Sequence, residues 1–382
     1  MRTIKELQHR LNNNHSFEHR YRIEADDKIH LLYVSPKLNS SGYYRIIAPA
    51  LEINKTTTHK AIVTSIEIND FKDSFAEIVN QLDERLVTWA DYILLPSLFS
   101  DLKYLVQAIK IINTTVQLVM DVDKNYFHFP DTLSRKLTKE HQKHFEKNLG
   151  MMDIVTTANK AFQHYLQKLL EDRLPNSNTF LQYLPSLISR LGYEEVPPIQ
   201  TSSKTILRIG LIKSLEEDLI DFKDALLAIR KAFEGKIEFV YLGTPQSSEE
   251  IAKLLADLEC EIHKTVSFEK HFEKLSSLQL DIALLPAADT TYSRHNNHHR
   301  FFELAVFGIP VIASTYHSDR SIIQDGDNGF IAGELPEWIE ILKALIENET
   351  DLKRISRNVL KDAWKHHSYN ARNLQQLTEI FI

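Results

Sequence analysis

The clearest chemistry lies in Arg300 and Glu303. Spaced three apart, they share a helical face with Asn296 and His299, while Phe301, Phe302, Ala305 and Val306 repeat on an apolar face. Gly308 fits a helix C-cap, Pro310 stops continuation, and Val311-Ile-Ala313 suits a strand buried on both sides. The stretch thus sets a guanidinium and a carboxylate on one helix, after the polar loop Arg294-His-Asn-Asn297. Such a helix start attracts phosphate through its free N–H groups and dipole. A structural i, i+3 ion pair between Arg300 and Glu303 is the competing reading.

Other groups are weaker. Val116 to Asp123 reads as a strand ending in Asp121 and Asp123. Carboxylates at the C-terminal end of a parallel strand stand where α/β proteins place ligands, although an Asp there can equally cap the next turn. Arg45 follows the glycine turn at Gly42, and Lys213 follows the strand 206–212; either could be a surface cation. His295, His298 and His299 cluster without cysteine or carboxylate partners at ligand spacing, so no metal centre is expected. Asn296 or Ser293 is the expected N-cap.

Three pieces together carry a family resemblance: Arg300-Phe-Phe-Glu303, Gly308-Ile-Pro-Val-Ile-Ala-Ser314 and Ile322-Ile-Gln-Asp-Gly-Asp-Asn-Gly-Phe-Ile-Ala332. The set resembles the donor-site signature of GT-B glycosyltransferases, and within them the large retaining family of bacterial glycan-building enzymes. The resemblance implies two Rossmann-like domains facing a central cleft. It implies transfer of a sugar from a UDP- or GDP-linked donor to a glycan, lipid, protein or other hydroxyl acceptor, with retention and without a metal or separate cofactor. Glu303 would hold the ribose hydroxyls. Arg300 would lie at the diphosphate, with Lys213, Arg45, Gly42, Arg294, His295, Asn296 and Asn297 around the donor. Asp121 would be the acceptor-side catalytic candidate, beside Asp123, Tyr43 and Tyr44. Many family members carry a second glutamate eight residues before the first; here His295 stands there. A catalytically silent subunit supporting a partner transferase, or a nucleotide-sugar epimerase, are the alternatives.

The elements that must position these groups alternate strand and helix throughout, which gives an α/β fold. Strands are expected at 28–35, 61–65, 90–96, 116–123, 153–157, 180–184, 206–212, 237–243, 261–266, 281–285 and 311–313. Long helices are expected at 71–86, 131–149, 216–233, 336–366 and 369–381. The domains expected are an extension 1–27, an acceptor domain 28–190, a proline-containing linker 191–203, a donor domain 204–366, and a last helix 367–382 returning to the first domain. Over 382 residues, 43% are hydrophobic and 25% charged, as in a globular protein of two domains. A net charge of -7 argues against general nucleic-acid binding. The single Cys260 suits a reducing compartment, and no apolar run approaches the ~20 residues of a membrane span. A cytoplasmic protein is expected, either free or peripheral to a membrane, and a homo-oligomer or a partner transferase is compatible with it.

Overall fold

The computed structural model describes residues 6, 23, 26–34, 38–64, 82–130, 137–192, 206–212, 215–243 and 248–382. Lys213, most of the extension 1–27, most of the helix expected at 71–86 and most of the 191–203 linker lie outside these residues. The chain divides into two compact units. One comprises 2–131, 135–191 and 369–382; the other comprises 192–368 with residues 1 and 132–134.

The N-terminal unit holds one parallel six-stranded sheet. Its strands are β1 (Ile29–Val34), β2 (His59–Thr64), β3 (Tyr92–Leu95), β4 (Gln117–Val122), β5 (Ile154–Thr157) and β6 (Phe180–Tyr183), in the order β2-β1-β3-β4-β5-β6. Their apolar residues alternate between two cores. Leu32, Val34 and Ile62 join one, and Leu31, Tyr33, Ala61 and Val63 join the other. Burial on both faces explains why these strands read as continuous apolar runs.

Residues 369–382 complete the second of these cores. The helix Ala371–Thr378 contributes Leu377, and Phe381 follows it; both are buried. Each adds ~1.5–3 kcal/mol of apolar burial. Polar clips hold the segment as well. Tyr92 donates to the Ile382 carbonyl at 2.8 Å, His59 Nε2 meets the Phe381 carbonyl at 2.9 Å, and the Tyr369 N–H donates to Ile188 at 3.2 Å.

The C-terminal unit holds a second parallel sheet. Its strands are β7 (Leu207–Ile212), β8 (Ile237–Leu242), β9 (Glu261–His263), β10 (Ile282–Leu285), β11 (Val311–Ser314) and β12 (Phe330–Ala332), ordered β12-β11-β10-β7-β8-β9. From β7 the chain builds outward to β8 and β9, then returns to lay β10 on the other side. The order therefore reverses between β7 and β10, and the crevice at such a reversal is the usual ligand position in an open α/β sheet. In the N-terminal unit the equivalent reversal lies between β1 and β3.

Several long helices are interrupted. Residues 216–233 form two helices, Glu216–Asp221 and Lys223–Ala232, joined at Phe222. Residues 335–366 split at Asn348, whose side chain accepts from Asp351 and so caps the helix Glu349–His366. Gly308 has φ 72°, and a Cβ there would come within 3.1 Å of the Ser356 carbonyl, so both conformation and helix crossing require glycine. The turn Asp325–Gly329 is scaffold. Gly326 takes φ 75°, and the buried Asn328 donates to Asp362 of the helix Glu349–His366 at 3.0 Å.

Candidate active site

The loops at the C-terminal ends of β7, β10 and β11 converge on Arg300. After β7, the helix Glu216–Asp221 presents Asp218, which is buried and accepts the Ala288 N–H at 2.9 Å. Ala288 lies in the loop after β10, so this bond ties the two sides of the reversal together. Burial pushes the Asp218 carboxyl up to about 6, against the opposing pull of the Ala288 N–H and of Arg300. Arg300 is half-buried and in electrostatic reach of Asp218, His317 and Asp319.

The loop after β11 supplies a buried His–Asp–His cluster. Asp319 is fully buried, and its Oδ1 lies 2.9 Å from His298 Nδ1. Burial alone would raise the Asp319 carboxyl; His317, His298 and Arg300 outweigh it and hold the group below its ordinary range. An ionised carboxylate only accepts, so His298 carries its proton on Nδ1. His317 Nδ1 accepts the Asp319 N–H at 3.2 Å, which places the proton of neutral His317 on Nε2. Burial drives His317 down to about 4, despite the attraction of Asp319. Asp319 Oδ2, 3.3 Å from His317 Nδ1, is therefore left without a hydrogen bond among the described residues.

Glu303 departs from the expected open face. Its side chain is 2% exposed and accepts from His271 Nε2 at 2.8 Å, with His271 equally buried on the helix Phe268–Ser277. The reason is packing. The helix His299–Ala305 buries every residue except Arg300, so it has no polar face apart from that position.

The helix start also differs. His298 occupies the N-cap without a side-chain bond, while Asn297 Oδ1 accepts the His299 N–H at 3.2 Å and Asn296 Oδ1 accepts the Asn297 N–H at 2.9 Å. Neither Asn296 nor Ser293 is the N-cap. With seven residues and a donor already engaged, this helix start is no phosphate cradle by itself, and the positive charge resides in Arg300. Arg294 is exposed, bound to Asp289, and stacks 5.0 Å over Tyr316; His295 ends the short helix Thr291–Arg294.

The N-terminal unit holds its candidate polar residues in closed interior contacts. Arg45 is 3% exposed and fully engaged: Nε and Nη2 bind both oxygens of Asp121, at 2.9 and 2.5 Å, and Nη1 donates to the Leu184 carbonyl at 2.7 Å. Thr156 adds a third donor to Asp121 at 2.7 Å. Arg45 and Asp121 thus form a closed interior pair, neither a surface arginine with a turn-capping Asp nor an open ligand pair. The π-helical turn Tyr43–Ile47 is the local irregularity that carries Arg45 inward. Tyr43 and Tyr44 are core residues, 1% and 0% exposed. Gly42 has φ −60°, an ordinary helical value, and its N–H is taken by Asn39 at 2.8 Å, so it makes no open glycine turn. Asp123 is buried and accepts from Ser41 and Tyr126. β4 lies two strands from β1, away from the sheet reversal, which is why its terminal carboxylates fasten loops.

Asp218, His271, His298, His317 and Asp319 escaped the sequence reading as site groups. His298 and Asp319 are 21 positions apart, and no spacing rule joins them.

Comparison with known proteins fits this architecture. Residues 226–379 match the family model described as "Glycosyl transferase-like", a span that includes Arg300, Glu303 and Asp319. Similar solved structures include Anabaena HepE in complex with UDP and glucose, with TM-score 0.61 and 12% identity over 93% of this chain and 99% of that one. Sucrose-phosphate synthase from Thermosynechococcus elongatus aligns with TM-score 0.59 and 9% identity over 93% and 98%. The lipopolysaccharide outer core galactosyltransferase WaaB, in its apo form, gives 0.58 and 14% over 93% and 100%. No curated protein matches the chain in sequence. The fold is GT-B, and the resemblance to GT-B glycosyltransferases holds. No helix among the described residues is long and apolar enough to cross a membrane.

Proposed function

We propose that the protein is a retaining glycosyltransferase whose C-terminal unit binds a nucleotide diphosphate sugar beside Arg300. The observation that carries this reading is the half-buried guanidinium at the reversal of the second sheet, within the segment that matches the glycosyl transferase-like model. As the bond from the sugar to the diphosphate breaks, negative charge grows on the departing phosphate oxygen. A preorganised cation there lowers the barrier by stabilising charge that is largest in the transition state. The UDP complexes of HepE favour UDP as the first nucleotide to test. The acceptor would be a hydroxyl of a glycan, lipid or protein.

Glu303 retains its proposed place near the ribose, now as a carboxylate oriented by His271. His295, standing where many members of the resembled family carry a glutamate, supports a second reading, a catalytically silent subunit that supports a partner transferase. Thermal unfolding with millimolar UDP and GDP, followed by assay of donor hydrolysis, separates the readings. Donor binding is expected to stabilise the fold by about 2.7 kcal/mol at one hundred times Kd. No shift with either nucleotide would refute the donor site; a shift without hydrolysis or transfer would favour the subunit.

A further inference from the structure

Among the described residues, the charge around Arg300 already leans negative before any donor arrives. One guanidinium stands in electrostatic reach of the carboxylates of Asp218 and Asp319, and the adjacent His317 is held neutral by burial. A diphosphate brings at least two further negative charges into the same partly buried space. Uncompensated like charge there is costly, and a protein site commonly answers by taking up a proton.

His298 is built to receive it. Its ring is 5% exposed, its Nδ1–H is fixed on Asp319 Oδ1, and it packs against Phe302 with ring centres 6.4 Å apart. The ring nitrogen Nε2 has no hydrogen-bond partner among the described residues, yet it is not one of the sealed polar atoms of the interior. It therefore keeps contact with solvent. In neutral His298 this nitrogen is an acceptor and would repel a phosphate oxygen; protonated, it becomes a donor.

We propose that binding of the donor diphosphate loads one proton from solvent onto Nε2 of His298, creating a second cation beside Arg300. The proposal rests on the donor reading given above. Asp319 acts as the positioning residue: it fixes the ring and stabilises the imidazolium, and its unsatisfied Oδ2 leaves the carboxylate with attraction to spare. His317 approaches Asp319 from the same loop, Asp218 faces Arg300 from the helix after β7, and His367 lies beyond Phe302, ring centres 5.3 Å apart, where it pairs with Asp362. Of these, Asp218 is the main rival for the incoming proton.

The test is titration calorimetry of the full chain with UDP and GDP at pH 7.5, in two buffers of different ionisation enthalpy, which counts protons taken up on binding. In His298→Asn the side-chain amide can replace the Nδ1–H bond to Asp319 while removing Nε2. This variant is expected to melt near the wild type, to bind the better nucleotide on the order of tenfold more weakly, and to lose most of the proton uptake. Nitrogen NMR of labelled imidazoles should show one His signal, absent in the variant, changing from the neutral Nδ1–H form to imidazolium on nucleotide addition. Unchanged affinity and uptake in His298→Asn overturn the proposal, as does loss of uptake in Asp218→Asn with His298→Asn unaffected. If Arg300→Ala weakens binding while His298→Asn does not, the donor reading stands and this inference falls. If the wild type binds neither nucleotide, both fall.

Discussion

The two units place the same ion types near the ends of their central strands and use them oppositely. Arg45 is sealed against Asp121, with the guanidinium spent on two carboxylate oxygens and a backbone carbonyl. Arg300 is half-buried, in electrostatic reach of Asp218, Asp319 and His317, at the point where strand order reverses. A closed bidentate pair is a structural device. A half-buried cation beside the crevice of an open α/β sheet can still gain a ligand. Residue type is shared, and what separates the centres is burial, Arg45 being 3% exposed and Arg300 half-buried.

The largest effect expected from breaking this contrast is at the closed centre. Asp121→Ala leaves the Arg45 charge buried without its partner and should cost about 3–5 kcal/mol of stability. Urea unfolding measures this, and a loss below about 1 kcal/mol would show that the pair is not a structural lock. Arg300→Ala should do the reverse. Turnover should fall on the order of a hundredfold with weaker donor binding, while the midpoint of unfolding barely moves. An unfolded Arg300→Ala protein would make the two centres alike and remove the distinction.

The smallest of these effects sharpens the electrostatics of the open centre. Asp218 is raised to about 6 in the folded state, so the fold binds its proton more tightly than the unfolded chain does. Native stability from this group is therefore present at low pH and declines as pH rises from about 4 through about 6. Asp218→Asn removes that decline while its amide oxygen can still accept from Ala288. The variant should be more stable than wild type by about 1–2 kcal/mol at pH 7.5, with the advantage vanishing near pH 4. A pH-independent difference would mean that the carboxyl is not strained by burial.

The fold was legible where apolar runs are short and bounded. Ile206–Ile212 and Val311–Ala313 read as buried strands because parallel strands lack a polar face. Helix breaks were less visible: at Phe222 and Asn348 no proline or glycine marks the interruption. Within the site, Arg300 and Glu303 were found through a local motif. The environment of Glu303 was not, since His271 reaches it across 32 positions and only tertiary packing brings them together. The partner of Arg45 was hidden for the same reason, its carboxylate lying 76 positions away.

The returning segment 369–382 sets an order on the birth of the molecule. The N-terminal unit emerges first from the ribosome, but Leu377 and Phe381, which close one of its cores, follow only after residues 192–368 have been translated. At about 5–20 residues per second, that interval is on the order of 10–40 s. During it, the apolar surface around Leu31, Tyr33 and Ile53 stands without its cover, while the C-terminal unit is still being made. The part synthesised first is thus completed last, and a nascent chain stalled before residue 369 carries an unfinished N-terminal core.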